Sequence, residues 1–513
     1  MPLFLGLDIG TTSTIGILID HTNRVLATAS CPVDLSSPHA GWAEEDPHQW
    51  WSNVCAIVPR VLETAQCRAA DISAIGVTGM VPALVLLGNN DCLLRPSIQQ
   101  SDGRSGVEVA EIASEVDPEK FLETTGNGIN QQLIATKLRW LERHEPDVFR
   151  QISTIFGSYD FINWKLTGAR SIEQNWALEA GFLSLETRAL APDLVALAHI
   201  DPAVLPDVKL SHEIVGEVTL EAAAATGLVK GIPVVAGCAD HVASAYVAGV
   251  VEEGDILIKF GGAGDILAAT SQIRPDPRLF TDFHIVPGLF MPNGCMASTG
   301  SLLNWFVAEI AGNVTTEPGA AETTAHARLD ALAEDVPPGA NGVLALPYFL
   351  GEKTPIHDSF ARGTFTGMSL NNTMADMWRA LLEGTCFGFR HHIEVMRDIG
   401  YPVRRILASD GGTASRVWMQ IAADILGMPV QLLTNHPGSC LGAAWLAGMG
   451  TGAVSDWAGV NRFVGEGSLI SPNPKNGELY DARYVQYRQL YERLRPLFSD
   501  MARENGEGLA LSH

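Results

Sequence analysis

Leu3-Phe4-Leu5-Gly6-Leu7-Asp8-Ile9-Gly10-Thr11-Thr12-Ser13-Thr14-Ile15-Gly16-Ile17-Leu18-Ile19-Asp20 decides how the rest of the chain is read. Two apolar runs flank a short polar turn. Each run is too short for a helix and rich in Leu and Ile, so the stretch predicts a buried β-hairpin. A hairpin turn needs Gly, Asn or Asp for its geometry; it does not need three consecutive hydroxyls. Gly10 allows close backbone approach, and Thr11, Thr12 and Ser13 add hydroxyls beside the backbone N–H groups of the turn. Such a concave set of donors suits phosphate oxygens. Asp8 ends the first run, where it can hold a hydrated Mg²⁺ beside those phosphates. The plainer reading is a Gly turn with solvated hydroxyls and a strand-end Asp.

The same form returns in the second half. Ile256-Leu257-Ile258-Lys259-Phe260-Gly261-Gly262-Ala263-Gly264-Asp265-Ile266-Leu267-Ala268-Ala269 is again strand, Gly-rich turn, strand. A chain of 513 residues is too long for one core, so two large domains are expected. The repeat predicts two domains of one topology, each offering a hairpin turn to a shared cleft, with a hinge suited to ligand closure. Glu252-Glu253-Gly254-Asp255 marks the boundary, giving residues 1–250 and 251–495, with 496–513 as a flexible tail that frays from about Asn505.

Between these landmarks, strand and helix patterns alternate, which predicts an α/β layer arrangement. Asp46 and Pro47 read as N-cap and first turn of a helix with Trp51, Val54, Val58 and Leu62 on one face. Ile72–Val77 and Ala83–Leu87 read as strands, and Leu133–His144 as an amphipathic helix. Ser158 opens another helix, closed by Gly168. Gly231–Asp240 reads as a buried strand ending in Gly and Asp, followed by a helix of small residues to Val250. In the second half, helices are expected from Gly300 and over 376–384, 418–427 and 442–450. Strands are expected over 405–409 and 430–433, and a Gly-punctuated turn over 363–368. Trp50, Trp51 and Trp305 read as packing residues, and His391-His392 as core or surface, not metal ligands.

Hydrophobic residues make up 46% and charged residues 18%, an ordinary globular balance. The net charge of -24 argues against a nucleic-acid partner, which would call for a basic footprint. An anionic nucleotide must then be held by local donors and a metal. Eight cysteines are scattered with no C-x-x-C pair, as in a cytoplasmic protein with reduced thiols. The N-terminus runs straight into the first strand without a basic region, so no signal peptide is expected. No apolar run approaches bilayer length, so no membrane partner is expected.

Seven motifs then line up in order: Asp8-Ile9-Gly10-Thr11-Thr12-Ser13; Gly41-Trp42 through Asp46-Pro47; Lys137-Leu138-Arg139-Trp140-Leu141; Ala239-Asp240; Gly351-Glu352-Lys353-Thr354-Pro355; Glu383-Gly384; and Asp410-Gly411-Gly412. Their order and spacing, from about residue 3 to 490, resemble the FGGY carbohydrate kinases, most closely the xylulokinase-like branch. The resemblance implies two actin-like (ribonuclease H-like) α/β domains with ATP, Mg²⁺ and sugar bound in the cleft between them. It implies phosphorylation of a primary hydroxyl of a small sugar or polyol: a ketopentose such as xylulose or ribulose, or a related tetrose or polyol. It leaves room for a homodimer.

The resemblance also implies roles for residues. Asp240 becomes the general base, where local sequence alone favours a helix N-cap. His241 follows at a polar sugar-contact position; a solvated first-turn histidine explains it equally well. Asp8 holds the metal. Gly10, Thr11, Thr12, Ser13, Gly261, Gly262, Gly264, Gly300, Asn304, Gly411, Gly412 and Arg416 fall at nucleotide-contact positions, Arg416 with the alternative of a plain surface charge. Met80, Val81 and Asp102 fall on the sugar side, although a local ion pair with Arg104 accounts for Asp102 as well.

Three departures accompany the match. The branch usually carries Gln-Met-His-Gly where this chain has Met80-Val81-Pro82-Ala83 after Gly79, so the sugar-contacting His is missing. A locally more apolar pocket, fitting a deoxy or four-carbon substrate, is expected there. The second loop, Gly261-Gly262-Ala263-Gly264, lacks the usual hydroxyl, leaving backbone contacts only. The basic residue that glycerol kinases carry after the first loop is also missing, since Thr14 is followed by Ile15. Two other functions share the nucleotide loops: an actin-like or chaperone-like ATPase, and a catalytically weakened sugar-binding regulator. Asp240 and the Lys137–Trp140 motif favour the kinase.

Overall fold

The computed structural model describes residues 2–22, 24–312, 324–434, 436 and 438–504. The opening stretch forms a hairpin of β1 (Leu3–Ile9) and β2 (Ser13–Asp20), extended by β3 (Val25–Pro32). Every residue of β1 is buried, because this strand is central in its sheet and covered on both faces. Next to it lies β4 (Ile72–Gly79) in parallel, then β6 (Pro233–Val235), then β5 (Ile214–Glu217) at the edge; β7 (Cys238–Ala239) continues the pairing along β4.

The second half repeats this order. β8 (Asp255–Phe260) and β9 (Gly264–Ala268) form the hairpin, extended by β11 (Phe290–Met296) and then β10 (Phe280–Phe283). On the other side of β8 come β12 (Arg405–Ser409) and β13 (Val430–Thr434), both parallel, and β14 (Gly465–Ile470) at the edge. Strand for strand, β1, β2, β3, β4 and β6 match β8, β9, β11, β12 and β13 in neighbour and direction. The edge strands differ in origin: β5 precedes its neighbour in the chain and β14 follows its own.

Helices cover these sheets. α1 (Pro47–Ala65) begins where the Asp46 carboxylate accepts the His48 N–H. Its buried face is Trp50, Val54, Ile57, Val58 and Val61, so the stripe is turned one residue from the expected Trp51–Leu62 row. α2 (Ile134–His144) and the short α3 (Gln174–Glu179) lie beside the cleft, and α4 (Asp240–Val247) leaves the end of β7. In the second half come α5 (Gly300–Glu309), α6 (Met374–Ile399), α7 (Arg416–Leu426) and α8 (Ser439–Gly450). α6 is far longer than the expected 376–384, because Gly384 and Gly388 sit inside it without breaking it. A Cβ on Gly384 would lie 2.6 Å from the Ala345 carbonyl, so close packing explains that glycine. The expected turn at 363–368 contains a strand, Thr364–Thr366, paired with Leu344–Leu346. The strand expected at 83–87 is confined to Val85–Leu87.

Two corrections concern the domain limits. α9 (Gly477–Glu504) buries Phe498 and Ala502, so residues 496–504 are packed helix and not tail. The fraying expected from Asn505 lies outside the described residues. α8, although late in the chain, packs into the core of the first domain. A Cβ on Gly6 would lie 2.1 Å from the Cys440 carbonyl oxygen, and one on Gly76 2.0 Å from that of Ala443. Only glycine lets this helix lie so close to β1 and β4. All eight cysteines are free thiols. No helix among the described residues is long and apolar enough to cross a membrane.

Candidate functional site

Two cavities meet between the halves. The central one, of about 540 Å³, has the second sheet as its floor. Strand alternation sends every other side chain to this face: Lys259 of β8, Asp265 and Leu267 of β9, Asn293 and Cys295 of β11, Phe280 and Asp282 of β10. The first domain supplies the opposite wall with Thr11, Met80, Val81, Asp240, His241 and Glu179, and the amides Gln100, Asn127, Asn130 and Gln132. The second cavity, of about 440 Å³, lies within the second half and is lined by Gly261, Gly262, Gly300, Asn304, Gly411, Gly412 and Trp418. Consecutive residues belong to different cavities: Gly262 and Ala263, and Asp410 and Gly411. The glycine loop therefore borders both spaces.

Behind the central cavity, next to the lining Ser439, Asp8 is buried with Oδ2 accepting the Ser439 hydroxyl and Oδ1 without a partner. Burial, then the neighbouring Asp240 carboxylate, push its carboxyl up to about 7, against the Ser439 hydroxyl and Lys259 ammonium, which pull it down. An orphaned buried carboxylate oxygen beside a second carboxylate fits a divalent cation. Asp240 is the first residue of α4, and the N-cap is Ala239. The Asp240 carboxylate accepts the adjacent His241 N–H at 2.6 Å and otherwise faces the cavity, so it is not the cap that local sequence favours.

The turn closes with the Gly10 N–H donating to the Ser13 carbonyl, so Gly10 is structural in part; Thr11 faces the cavity and Thr12 is exposed. The second loop is held from below by α5: the Thr299, Gly300 and Ser301 N–H groups donate to the Gly261 and Gly262 carbonyls. Gly262 has open space where a Cβ would be. Gly264 differs from its expected role. It sits in β9, where a Cβ would lie 2.5 Å from Thr299 Cγ2, so packing and not a cofactor requires glycine. Gly412 is pinned between Trp418 and Phe260 beside the second cavity.

Two expected site residues are elsewhere. Arg416 is exposed at the start of α7 and lines neither cavity, as a surface charge would. Asp102 is fully buried and occupied by the Ala43 N–H and by Arg104, which also lies 3.7 Å over the Trp42 ring. It holds the cavity wall from behind. Lys137, fully buried, does the same by donating to the Gln99 carbonyl at 2.8 Å, next to the lining Gln100; burial lowers its ammonium to about 7. Trp305, read as packing, is half exposed and leans on Phe349. His391 and His392 are buried in α6.

His241 is expected from its motif, but its partners and several other site residues carry none. His241 Nε2 lies 2.9 Å from Asp282 across the domain boundary, with Glu179 at 4.0 Å. Burial disfavours the imidazolium, yet Asp282, Asp240 and Glu179 outweigh it and hold His241 well above its ordinary value. Glu179 is raised well above its own by burial and then by Asp282. Asn127 and Asn175 clamp the edge of β10: each side-chain amide both donates to and accepts from one backbone unit, Thr281 and Phe283 respectively. Lone amides and carboxylates of this kind look solvated in sequence. Lys259 did leave a signal, a single charge inside the apolar run Ile256–Phe260 just before a Gly-rich loop.

Two like domains, a cleft, paired glycine loops and two carboxylates at their junction define a phosphoryl-transfer fold of the actin-like kind. The N-terminal domain of the FGGY family of carbohydrate kinases matches residues 3–247, and its C-terminal domain matches 264–451. The xylulose kinase of Bacillus subtilis (strain 168) is 28% identical over 502 residues, 97% of this chain and 98% of that protein. The L-xylulose/3-keto-L-gulonate kinase of Escherichia coli (strain K12) is 28% identical over 95% of this chain and 96% of its own length. The crystal structure of xylulose kinase from Rhodospirillum rubrum superposes with a TM-score of 0.91 at 54% identity, covering 97% of this chain and all of that one. The chain belongs to the FGGY family of carbohydrate kinases. It is an ATP-dependent sugar kinase that works with Mg²⁺, and not an actin-like or chaperone-like ATPase.

Proposed function

We propose that the protein transfers the γ-phosphoryl group of ATP to a primary hydroxyl of a small ketose, with a ketopentose of the xylulose type as substrate. The observation that carries this is the pair Asp8 and Asp240, one buried with a free oxygen and one open to the central cavity. The adenosine end lies along Gly300, Asn304, Gly411 and Gly412, and the phosphates run between the Gly10–Ser13 turn and Gly261–Gly262. Bound Mg²⁺ supplies charge neutralisation on the transferring group, and Asp8 is the residue that holds it. Asp240 accepts the proton of the attacking hydroxyl late in the transfer. The sugar lies along Met80, Val81 and His241 with its hydroxyls on Asn293 and the first-domain amides.

That lining of amides and carboxylates favours a polyhydroxylated substrate, because a buried donor or acceptor left unpaired is costly. The names of the relatives point to ketoses as well. Met80 and Val81 favour a second reading, a deoxy or four-carbon acceptor, since they present no hydrogen-bonding side chain on their side. A panel of ketopentoses, deoxyketopentoses, tetritols, pentitols and glycerol, followed by coupled ADP release, decides between them. D-xylulose or L-xylulose giving the highest kcat/KM by a wide margin supports the first reading. A tetritol or deoxy sugar in that place overturns it.

A further inference from the structure

The cavities are poor in positive charge. Glu179, Asp240, Asp265, Asp282 and Asp410 face the central one, with Asp8 behind. Among the described residues no arginine lines either cavity, and the only lysines are Lys259 and Lys353. Lys353 neighbours Glu352 and Cys295, two strands over from Lys259. The glycine loop has no side-chain donor of its own, and the nearby Thr299 and Ser301 hydroxyls are taken up by its carbonyls. Apart from Lys353 and the His241 imidazolium, which is paired with Asp282, Lys259 is the cation that a polyanion entering here meets.

The duplication tells where that cation stands. Ile9 and Phe260 are the last paired residues before the two turns, opposite Thr14 and Gly264. Asp8 and Lys259 each precede them by one residue, and their parallel neighbours are Thr78 and Ser409. The same place in the two hairpins thus holds an anion in one domain and a cation in the other. Lys259 Nζ rests 3.4 Å from Asp265, its cross-strand partner, a long contact that a phosphoryl oxygen can replace.

Resting on the phosphoryl-transfer site above, we propose that Lys259 is a catalytic residue whose ammonium binds the terminal phosphoryl group and stabilises its charge during transfer, opposite Asp8. Such stabilisation is strongest where a fixed charge faces a water-poor site. Lys259→Met should lower kcat by about 10²–10³-fold, the range for removing one charge-stabilising donor, with sugar KM changed by less than about threefold. Lys259→Arg should recover at least about a tenth of the lost rate. Calorimetry with Mg²⁺ supplies a reading that needs no sugar. Lys259→Met should weaken the β,γ-imido analogue of ATP by about tenfold while leaving ADP within about twofold, since ADP lacks the group that Lys259 touches. If Lys259→Met keeps more than about a third of kcat, or weakens ADP and the analogue alike, Lys259 is a structural residue and the proposal falls. If no sugar is phosphorylated by the parent yet the nucleotide contrast holds, the substrate reading has failed and Lys259 stands.

Discussion

Gly6 and Gly76 pair across β1 and β4; at the matching places in the second sheet Leu257 and Leu407 pair across β8 and β12. The sheets share a topology, yet one receives a helix at backbone contact and the other does not. Over the first, α8 lies so close that no Cβ fits. At the second, Leu257 and Leu407 are buried and join the apolar cluster that reaches across to the first domain. The difference teaches how a duplicated fold becomes a single machine. Glycines lock the late helix α8 onto the early domain and deliver Ser439 to Asp8. Side chains fill the equivalent place in the second sheet, whose outer end stays open as the floor of the cleft.

The proposed catalytic pair offers the largest test of this division. Asp240→Ala should cut turnover by about 10²–10⁴-fold, the range for a lost general base, with nucleotide affinity nearly intact. Near-normal turnover at saturating sugar would make Asp240 a helix-start residue and nothing more.

Next in size is the glycine seam. Gly6→Ala should destabilise the protein by up to about 3 kcal/mol, because an oxygen 2.1 Å away belongs to backbone that has no rotamer to change. Urea denaturation measures it. An unchanged midpoint would mean that α8 can lift, and that the two sheets are less different than described.

The clamp on β10 should be worth less. Asn175→Ala strands the Phe283 N–H and carbonyl at the domain boundary and should cost about 1–3 kcal/mol. Small-angle scattering of the Asn127→Ala, Asn175→Ala double variant should give a larger radius of gyration than the parent. ATP and sugar together should still contract the parent, as closure excludes water from the reacting group. A double variant no larger than the parent would leave the hinge located elsewhere.

The last test concerns pH dependence without divalent cation. Asp8 is raised to about 7 in the fold from 3.8. The folded state then holds a proton that the unfolded state has lost. This contribution to stability is fully present below about pH 4 and is lost as pH rises through about 7. Asp8→Asn should therefore raise the melting temperature at pH 8 and leave it nearly unchanged at pH 4, while abolishing activity at both. Added Mg²⁺ should raise the melting temperature of the parent at pH 8 and not that of the variant. A variant less stable than the parent at pH 8 would show that Asp8 is a net stabilising charge, and its likeness to Lys259 would be one of position only.

Much of this was legible beforehand because the signals are local. Apolar runs broken by Gly-Thr-Thr-Ser and Gly-Gly-Ala-Gly state both hairpins. Asp46-Pro47 states the start of α1 but not its buried face, since Trp50 and Trp51 are both bulky and only packing chooses between them. Asp102 and Arg416 look alike in sequence, polar residues beside a motif. Burial and a pair of tryptophans make one a brace for Arg104, while nothing holds the other near the nucleotide cavity.

By itself, then, the sequence determined the two hairpins, their repetition, the carboxylates Asp8 and Asp240, and the glycine turns that border the cleft. Periodicity, turn chemistry and motif spacing are properties of neighbouring residues, so they survive without coordinates. Tertiary structure alone decided that Ser439 bonds Asp8 across 431 positions of chain, that His241 meets Asp282 and Glu179, that Asn127 and Asn175 grip β10, and that Lys259 stands opposite Asp8. A charged or amide side chain carries no mark of its partner. Which groups share a desolvated space depends on how two sheets and one displaced helix pack, and that packing is a sum over contacts far apart in the chain.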